Sequence, residues 1–452
     1  MLYKVKKERL FTNQQLLALL WPLIIEQALG VLVGMADTVM VSSVGEAAIS
    51  GVSLVDMINQ LIITVFGALA TGGAVVTSQH LGAKRPEEAA RSAGQLVGLS
   101  GILGTAVAVF CLVTRTAQLR LFFGTISEDV MQACLTYFTI TALSFPFLAL
   151  YNAGAAIFRS TGNSAVSMKV SVLVNAINFC GNALCVFVLR MGVAGVAVPT
   201  LVSRAVGAVI ILSLAAKRDY VLRITPRTVT RLEGRTVRSI LYIGIPSAFE
   251  NSLFQLGRVL VVSMISLFGT VHISANAVAN NLDAIGCIVG NAMGLAMITV
   301  IGRCIGAQDF EQTNYYTKKL LLWDYIAQGT VNLLVLLFLN RILGMYTLSP
   351  ETRALSWTLV MIHDGVAILL WPAGFVLPNA LRAANDVRFT MVTSILSMIV
   401  WRMGLSWILC VNMGMGAVGV WLAMVVDWIC RVTCFVIRFA SGAWQKSAMK
   451  KV

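Results

Sequence analysis

Twelve ionisable side chains lie inside long apolar stretches of this 452-residue chain, and their chemistry is the first feature that needs an explanation. If those stretches cross a bilayer, an ionised group at its centre costs about 2.5–3.5 kcal/mol even on a lenient scale. Each such group therefore needs either a partner or a function. They are Glu26, Asp37, Asp56 and Arg204 in the first half of the chain and Glu250, Arg258, Asp283, Asp324, Asp364, Arg402, Asp427 and Arg431 in the second.

Four of these groups have a structural interpretation. Asp427 and Arg431 are four residues apart, which is one helical turn, so we predict an ion pair between them. Asp56 and Asp324 lie near the ends of apolar segments, where an interfacial position explains a charge.

Asp37 and Glu250 are different, because neither has a basic residue within one helical turn. Burial disfavours the ionised form of a carboxyl, so a carboxyl in a span can load and release a proton at cellular pH. A proton-coupled carrier needs this chemistry. The alternative is a permanently protonated acid that is hydrogen-bonded to a neighbouring helix.

Amide side chains extend the candidate site around Asp37. Asn175, Asn178 and Asn182 recur at spacings of three and four, so they share one face of a helix. Thr200 follows in the next apolar segment, where a nearby proline frees a backbone carbonyl that can serve as an ion ligand. The alternative is that these amides only join two helices.

The elements that must carry these residues are membrane-spanning helices. Apolar residues make up 58% of the chain and charged residues 12%, whereas a soluble domain carries about 25% charged residues. A spanning helix needs about 20 apolar residues, more than a barrel strand, so we predict an all-α membrane protein with twelve transmembrane helices. The segments lie near residues 13–44, 47–80, 92–114, 130–158, 168–189, 193–216, 239–268, 273–302, 320–340, 355–381, 389–412 and 416–438.

Twelve spans place both termini on one side of the membrane, and the distribution of Lys and Arg identifies that side. The tails and the loops on that side carry 25 of these residues, and the opposite loops carry 5. We therefore expect both termini in the cytoplasm and the chain in the cell inner membrane. The net charge of +14 then indicates membrane lipid as a partner and not nucleic acid.

The two halves of the chain are related by one constant shift without a gap, which aligns Pro22 with Pro246 and Glu26 with Glu250. Each half has six spans, so the repeat is parallel and its pseudo-twofold axis runs along the membrane normal. Asp37 has no copy, because Val261 takes its place. The two halves should enclose a central cleft suited to alternating access. We predict an N-terminal lobe at 1–216, a cytoplasmic linker at 217–238 and a C-terminal lobe at 239–452.

Several short motifs occur in a fixed order along both halves. They are the opening Pro22 to Asp37 with Met40-Val41-Ser42, the sequences Gln79-His80-Leu81-Gly82-Ala83-Lys84, Arg159-Ser160-Thr161-Gly162-Asn163 and Gly192-Val193-Ala194-Gly195, and the second-half counterparts Gly306-Ala307 and Arg382-Ala383-Ala384-Asn385-Asp386. In this set the chain resembles the bacterial type of the multidrug and toxic compound extrusion (MATE) family, of the MOP flippase superfamily. The resemblance covers essentially all twelve spans.

The resemblance implies export of organic cations in exchange for protons or sodium ions. Asp37 matches the first-span carboxylate of the family, and Asn178 and Thr200 match ligands of its first-lobe cation site. Asn182 stands where several members have an aspartate. Glu250 matches an acidic residue that the NorM branch uses in a second-lobe site.

One departure from the family pattern lies in the tenth span, where Trp371 takes the place of an expected aspartate. Asp364 lies seven residues earlier, two turns along the same face, and is a candidate substitute. Sodium prefers several oxygen ligands with fixed charge. The replacements by Asn182 and Trp371 therefore favour a proton over sodium as the coupling ion.

The chain is thus expected to be a monomeric secondary antiporter, not an enzyme, that exports cationic or zwitterionic amphiphiles and needs no cofactor besides H+ or Na+. Expected C-terminal ion-coupling or substrate residues are Glu250, Asp283 and Asp364. Expected walls of the substrate cleft are Glu26, Met35, Phe254, Met293, Met297, Trp371 and Phe375. We expect this cleft to hold more acids than bases and therefore to favour cations.

Two other classes of protein remain as alternatives. A lipid-linked saccharide flippase would line its cleft with Arg and Lys for a pyrophosphate, whereas we expect the intramembrane arginines to be accompanied mostly by acids. A membrane enzyme would need a cluster of histidines, and His80, His272 and His363 are scattered along the sequence.

The charge distribution makes a prediction about topology. A cysteine at Arg227, in an otherwise cysteine-free protein, should react with an impermeant thiol reagent only in inside-out vesicles, because we place this linker in the cytoplasm. Labelling at this position in intact cells would contradict the assignment.

Overall fold

The computed structural model describes residues 9–124, 126–217 and 220–449, and these residues form helices and connecting turns without a strand. Some of the basic residues in the charge count lie outside the described residues. They are Lys4, Lys6, Lys7, Arg218, Lys450 and Lys451.

The N-terminal lobe consists of seven helices that make six passes. They are α1 (Asn13–Ser42), α2 (Glu46–Gly82), α3 (Pro86–Phe123), α4 (Glu128–Leu143), α5 (Phe145–Ser160), α6 (Ser164–Ala183) and α7 (Ala194–Ala215). α4 and α5 form one pass that bends by 45°. The bend follows from Pro146, which lacks the N–H that would continue the hydrogen-bond ladder of α4.

The C-terminal lobe repeats this arrangement after a short connecting helix. The helices are α8 (Pro226–Thr230), α9 (Gly234–Ser266), α10 (Thr270–Gly286), α11 (Ile288–Gly306), α12 (Phe310–Gly344), α13 (Pro350–Trp371), α14 (Leu377–Ala383), α15 (Val387–Ser397), α16 (Gly416–Ala440) and α17 (Trp444–Ala448). Wider, π-helical turns join α13 to α14 at Pro372–Val376 and extend α15 at Met398–Leu405 and Trp407–Asn412. α9 begins inside the segment predicted as a linker.

All twelve predicted segments are helical. Ten helical segments of the described chain are long and apolar enough to cross a membrane, and the bent pair α4–α5 makes eleven. α9 is long enough but is more polar, because it carries Glu250, Asn251, Gln255 and Arg258. The predicted span 273–302 is divided at Cys287 into α10 and α11. The polar residues of α9 and the break at Cys287 both lie beside the cavities described below.

The backbone repeats itself with the same constant shift as the sequence. Positive φ angles occur at Gly45 (135°) and its repeat partner Gly269 (86°), and at Gly192 (60°) and its partner Gly416 (57°). The loop between the second and third pass shows the same match without glycine, at residues 84 (57°) and 308 (54°). Non-glycine residues adopt this conformation at a cost, so its recurrence at the same places confirms that the two lobes share one fold.

Both ends of the described chain lie at the same end of the helical bundle, which we call the terminal side. The Tyr316 hydroxyl donates to the Phe11 carbonyl at 2.8 Å, and Trp444 packs edge-on against Phe310 with ring centroids 5.7 Å apart. Tyr316 and Phe310 both belong to the first turns of α12.

The two lobes meet at the terminal side through backbone contacts. A Cβ atom on Gly82 would lie 2.0 Å from the carbonyl oxygen of Arg303, and a Cβ atom on Gly306 would lie 1.9 Å from that of Gln79. Gly82 and Gly306 are repeat partners, so the contact is close to symmetric. Only glycine allows helices α2 and α11 to approach this closely.

Side chains reinforce this closed layer. The Gln79 amide donates to the Ala383 carbonyl at 2.9 Å, and the Arg303 guanidinium donates to the Ser160 carbonyl at 2.9 Å. Both bonds join the N-terminal lobe to the C-terminal lobe. The central cleft is therefore closed at the terminal side, and the cavities between the lobes lie deeper.

Closure through glycine can be tested with Gly82→Ala. The added methyl group should prevent the lobes from meeting at the terminal side, because the Arg303 carbonyl has no room to move within its helix. Spin labels at the exposed repeat partners Glu87 and Glu311 should report a longer distance, and transport should be slower. Gly67→Ala, on the same helix with no heavy atom within 4 Å of the new Cβ, is the matched control. Equal label distances in both variants would contradict the assignment.

Candidate functional site

Three cavities lie along the cleft and inside the C-terminal lobe. The first, of about 280 Å³, is lined by Glu250, Phe254 and Arg382. The second, of about 360 Å³, shares Phe254, Trp371 and Phe375 with the first and reaches Asp283. The third, of about 420 Å³, is lined by residues from both lobes, including Glu26 and Arg159.

In the N-terminal lobe, α1, α6 and α7 bring Asp37 together with predicted amides and a hydroxyl. The Asn182 amide donates to Asp37 Oδ1 at 2.8 Å. The Asn178 amide lies between Asp37, at 3.3 Å, and Thr200 Oγ1, at 3.0 Å. Asn175 is not part of this cluster, because its amide donates to Ser171 of its own helix at 3.3 Å. The prediction is therefore wrong in including Asn175.

Asp56 lies deeper in the N-terminal lobe than the sequence suggests. It is the eleventh residue of α2, and it accepts hydrogen bonds from the Tyr137 hydroxyl and the Asn59 amide, both at 3.1 Å. The interfacial interpretation of Asp56 is therefore wrong. Tyr137 is on α4, and nothing in the sequence pairs it with α2.

Glu26 and Glu250 each form an ion pair with an arginine from a distant helix. Arg382 contacts Glu250 at 2.8 Å, and Arg159 contacts Glu26 at 3.3 Å. All four side chains are largely buried. The two acids are repeat partners, and the two arginines open corresponding motifs, so the pairs are related by the pseudo-twofold axis. The sequence of its own helix suggested that Glu250 has no basic partner. The structure shows that it has one, Arg382.

Only one of the two carboxylate oxygens of Glu250 is paired. Oε1 contacts Arg382, whereas Oε2 has no hydrogen-bond partner among the described residues. This carboxylate lines the first cavity beside Phe254, Trp371 and Phe375. Trp371 and Phe375 stack with ring centroids 5.0 Å apart. Aromatic walls with a carboxylate acceptor suit a cationic organic group.

A histidine joins two predicted acids in the C-terminal lobe. His363 Nε2 lies 2.8 Å from Asp283 Oδ1, and its Nδ1 lies 2.7 Å from Asp364 Oδ1. The Cys287 thiol donates to the same Asp283 oxygen at 3.0 Å. Sequence reasoning missed His363, although its position next to Asp364 was the available signal. Asp283 reaches the second cavity, whereas Asp364 is fully buried behind the histidine.

The two contacts of His363 with Asp283 and Asp364 require a proton that these groups share. A neutral imidazole has one N–H, so it can donate to only one of two carboxylates. Keeping both contacts needs a second proton, on the imidazole or on a carboxyl. The donor atoms of Asp283, Cys287 and His363 lie within 4.8 Å of one another, a spacing that a metal ion could use. In this structure the same atoms are joined by hydrogen bonds through Asp283 Oδ1.

Asp324 is buried inside the C-terminal lobe. Its side chain has no solvent exposure, and within the described chain neither oxygen has a hydrogen-bond partner. Gln328 and Asn332 follow on the same face of α12 and are similarly buried. The interfacial interpretation of Asp324 is therefore wrong, because α12 is longer than the predicted segment and places this residue at mid-depth.

Asp427 and Arg431 form the predicted ion pair, at 3.2 Å.

The cavities as a whole do not hold more acids than bases, so that expectation is wrong. The acids that line them are Glu26, Glu250 and Asp283, and the arginines are Arg159, Arg258, Arg382, Arg402 and Arg431. The excess of arginine comes from the C-terminal lobe.

The predicted methionine walls are also wrong. Met293 and Met297 are 2% and 0% exposed in the core of the C-terminal lobe, where they fill space between helices. Met35 is exposed on α1 but does not line the three cavities. Glu26, Phe254, Trp371 and Phe375 do line them.

Comparison with known proteins gives a consistent result. The MatE family model matches residues 22–184 and again residues 246–408. The two matches start at Pro22 and Pro246, which the internal repeat aligns with each other. More than half of the chain is matched.

Similar proteins cover nearly the whole chain. The uncharacterized transporter YisQ of Bacillus subtilis is 28% identical, over 96% of this chain and 95% of that protein. The probable multidrug resistance protein NorM of Thermotoga maritima is 24% identical, over 99% and 96%. A solved structure described as the outward-facing conformation of a multidrug resistance MATE family transporter of the MOP superfamily superposes with a TM-score of 0.89 at 20% identity, covering 96% of each chain.

The two repeat-related ion pairs make a prediction about stability. Glu250→Gln and Arg382→Gln should each destabilise the protein by about 3–5 kcal/mol, because each leaves a buried charge unpaired. The double variant should be less destabilised than either single one. Thermal unfolding in detergent measures this, with the pair Glu26 and Arg159 as the repeat-matched comparison. Simple additivity of the two single effects would show that the contact is not an energetic pair.

Proposed function

Because the chain belongs to the multidrug and toxic compound extrusion (MATE) family, we propose that it is an antiporter that exports amphiphilic organic compounds in exchange for protons. It is a multi-pass membrane transporter and not an enzyme. The two lobes would alternate access to the cleft, acting as a monomer in the cell inner membrane with both termini in the cytoplasm.

The observation that carries this proposal is the set of partners of Asp37. Glu26, Glu250 and Asp427 are each paired with an arginine. Asp37 is instead held by the neutral side chains of the Asn178–Asn182 pair, and no ion pair to it is present in the described chain. A proton can therefore bind to Asp37 and leave it without breaking an ion pair.

The ligands around the acids support a proton over sodium. Asn182 donates its amide to Asp37 and adds no fixed charge to the cluster. A hard cation such as sodium prefers several oxygen ligands with fixed charge. In the C-terminal lobe, Asp283 and Asp364 are engaged by the imidazole of His363. Imidazole is a proton carrier near neutral pH and a poor ligand for hard cations.

The closed terminal side gives the direction of access. The contacts of Gly82 and Gly306 block the cleft from the side on which both ends of the chain lie. If that side is the cytoplasm, as the distribution of Lys and Arg favours, then the cavities can be reached only from outside. Release of a substrate and uptake of a proton would both take place from this state.

The proposal predicts that Asp37→Asn abolishes gradient-driven efflux while leaving folding and membrane insertion near normal. Asparagine keeps the shape and the hydrogen bonds but cannot exchange a proton. Dye efflux from proteoliposomes should follow an imposed pH gradient in the parent protein and be lost in the variant. Asp129→Asn, at an exposed position, is the matched control.

Two outcomes would contradict this function. An Asp37→Asn variant that still concentrates dye against a gradient would make Asp37 a structural residue. Efflux driven by a sodium gradient at equal pH on both sides, and not by a pH gradient, would exchange the proton for sodium as the coupling ion.

A further inference from the structure

Two arginines of the C-terminal lobe enter the second cavity, where Arg258 has no ion pair among the described residues and Arg402 has only a long one. Arg258, on α9, donates only a long hydrogen bond of 3.5 Å to Asn280, and no carboxylate of the described chain lies within ion-pair distance of it. Arg402 is 3.9 Å from Asp427. Asp427 is already engaged by Arg431 at 3.2 Å.

This arrangement leaves guanidinium donors without a partner. Arg402 Nε is buried and has no hydrogen-bond partner in the part of the chain that the structure describes. Arg258 is exposed and lines the cavity, although it lies within α9, eight residues before the end of that helix. An intramembrane arginine without an ion pair is costly and calls for a function. Asp283 lines the same cavity but is already hydrogen-bonded to His363 and Cys287. An anionic group that enters the cavity would give Arg258 an ion pair and Arg402 a closer one.

Aromatic side chains form a wall next to these donors, in which Trp371 and Phe375 stack and Phe254 stands edge-on to Phe375. Phe254, Trp371 and Phe375 line both the first and the second cavity. The guanidinium of Arg402 lies 5.3 Å from the centre of the Phe254 ring. A planar aromatic ligand can therefore stack on this wall while an acidic substituent on it reaches the arginines.

The first cavity holds a carboxylate on the other side of the same wall, that of Glu250, which is paired with Arg382 through Oε1. Among the described residues, Glu250 Oε2 is without a partner there. The two cavities together therefore present an acceptor for a cation at one end, aromatic faces in the middle and donors for an anion at the other end. Their volumes of about 280 and 360 Å³ are in the range of sites for drug-sized molecules.

We propose that Arg258 and Arg402 bind the carboxylate of a zwitterionic aromatic substrate whose cationic group lies near Glu250. This inference rests on the proposed export function and makes it more specific. Substrates that carry only a positive charge would lack the contact with the arginines and would bind less tightly. The excess of arginine in the cavities then follows from the chemistry of the substrate.

A matched pair of dyes tests this inference. Rhodamine 110 carries a free carboxylate, and rhodamine 123 is its methyl ester with the same cationic ring system. In proteoliposomes with a pH gradient, the parent protein should have a lower KM for rhodamine 110. Arg258→Gln should change the ratio of the two KM values about tenfold in favour of the ester, since one charge-assisted contact contributes about this much.

Two further variants separate recognition from folding. Arg258→Lys should restore most of the preference, because it keeps the charge. Arg341→Gln, an exposed arginine outside the cavities, should leave the ratio of KM values as it is. Arg402 is nearly buried next to Asp427, so Arg402→Gln is informative only if its melting temperature matches that of the parent.

Three results would overturn the inference. The first is a parent protein that transports the ester but not the acid, and the second is a loss in Arg258→Gln that is equal for both dyes. The third is strong competition by inorganic pyrophosphate, which would assign the arginines to a pyrophosphate-linked substrate. A parent protein that moves neither dye under any gradient would instead contradict the proposed function itself.

Discussion

A charged side chain in a lipid-surrounded helix needs a counter-charge, because the bilayer offers no water to solvate it. Most of this structure follows from that constraint. Glu26, Glu250 and Asp427 each have an arginine, and two of these pairs join helices that are far apart in the sequence. The pairs hold the cleft walls in place. Among the charged groups without such a partner are Asp37 and Arg258, the positions at which we propose that an ion and a substrate act.

The two lobes share a backbone but differ in what they carry. Positive φ angles recur at residues that the repeat aligns, as at Gly45 and Gly269, so the duplication extends through the fold of both lobes. In the described chain, Asp37 and its amides belong to the N-terminal lobe, and Arg258, Arg402 and His363 belong to the C-terminal lobe. Under the proposed function, one lobe would exchange a proton through neutral partners, and the other would recognise the charges of the substrate.

The sequence was sufficient for the fold and for part of the site. Continuous apolar segments and an ungapped repeat depend on local pattern, and they predicted all twelve helical segments and the two lobes. The ion pair of Asp427 and Arg431 was predicted because it lies within one helical turn. The cluster of Asp37, Asn178, Asn182 and Thr200 was predicted because its amides share a helix face and the family resemblance added the rest.

Contacts between distant helices account for the errors. No local pattern brings Arg382 to Glu250, Tyr137 to Asp56 or His363 to Asp283. Asp324 was misplaced because α12 extends beyond the apolar segment predicted for it. Hydropathy alone did not show where this helix begins and ends. The methionines were misassigned because their apolar character suits a packed interior as well as a cleft wall.

The contact between the lobes at the terminal side consists of backbone against backbone, at Gly82 and Gly306. Such a contact acts over a very short range, so it is either made or lost, and it depends little on salt or on the identity of neighbouring side chains. The switch is thereby separated from the chemistry of the cavities. Residues such as Phe254, Trp371 and Arg258 can be exchanged during evolution without altering how the lobes close. A transporter with this fold could therefore acquire new substrates through changes in its cavity-lining residues alone.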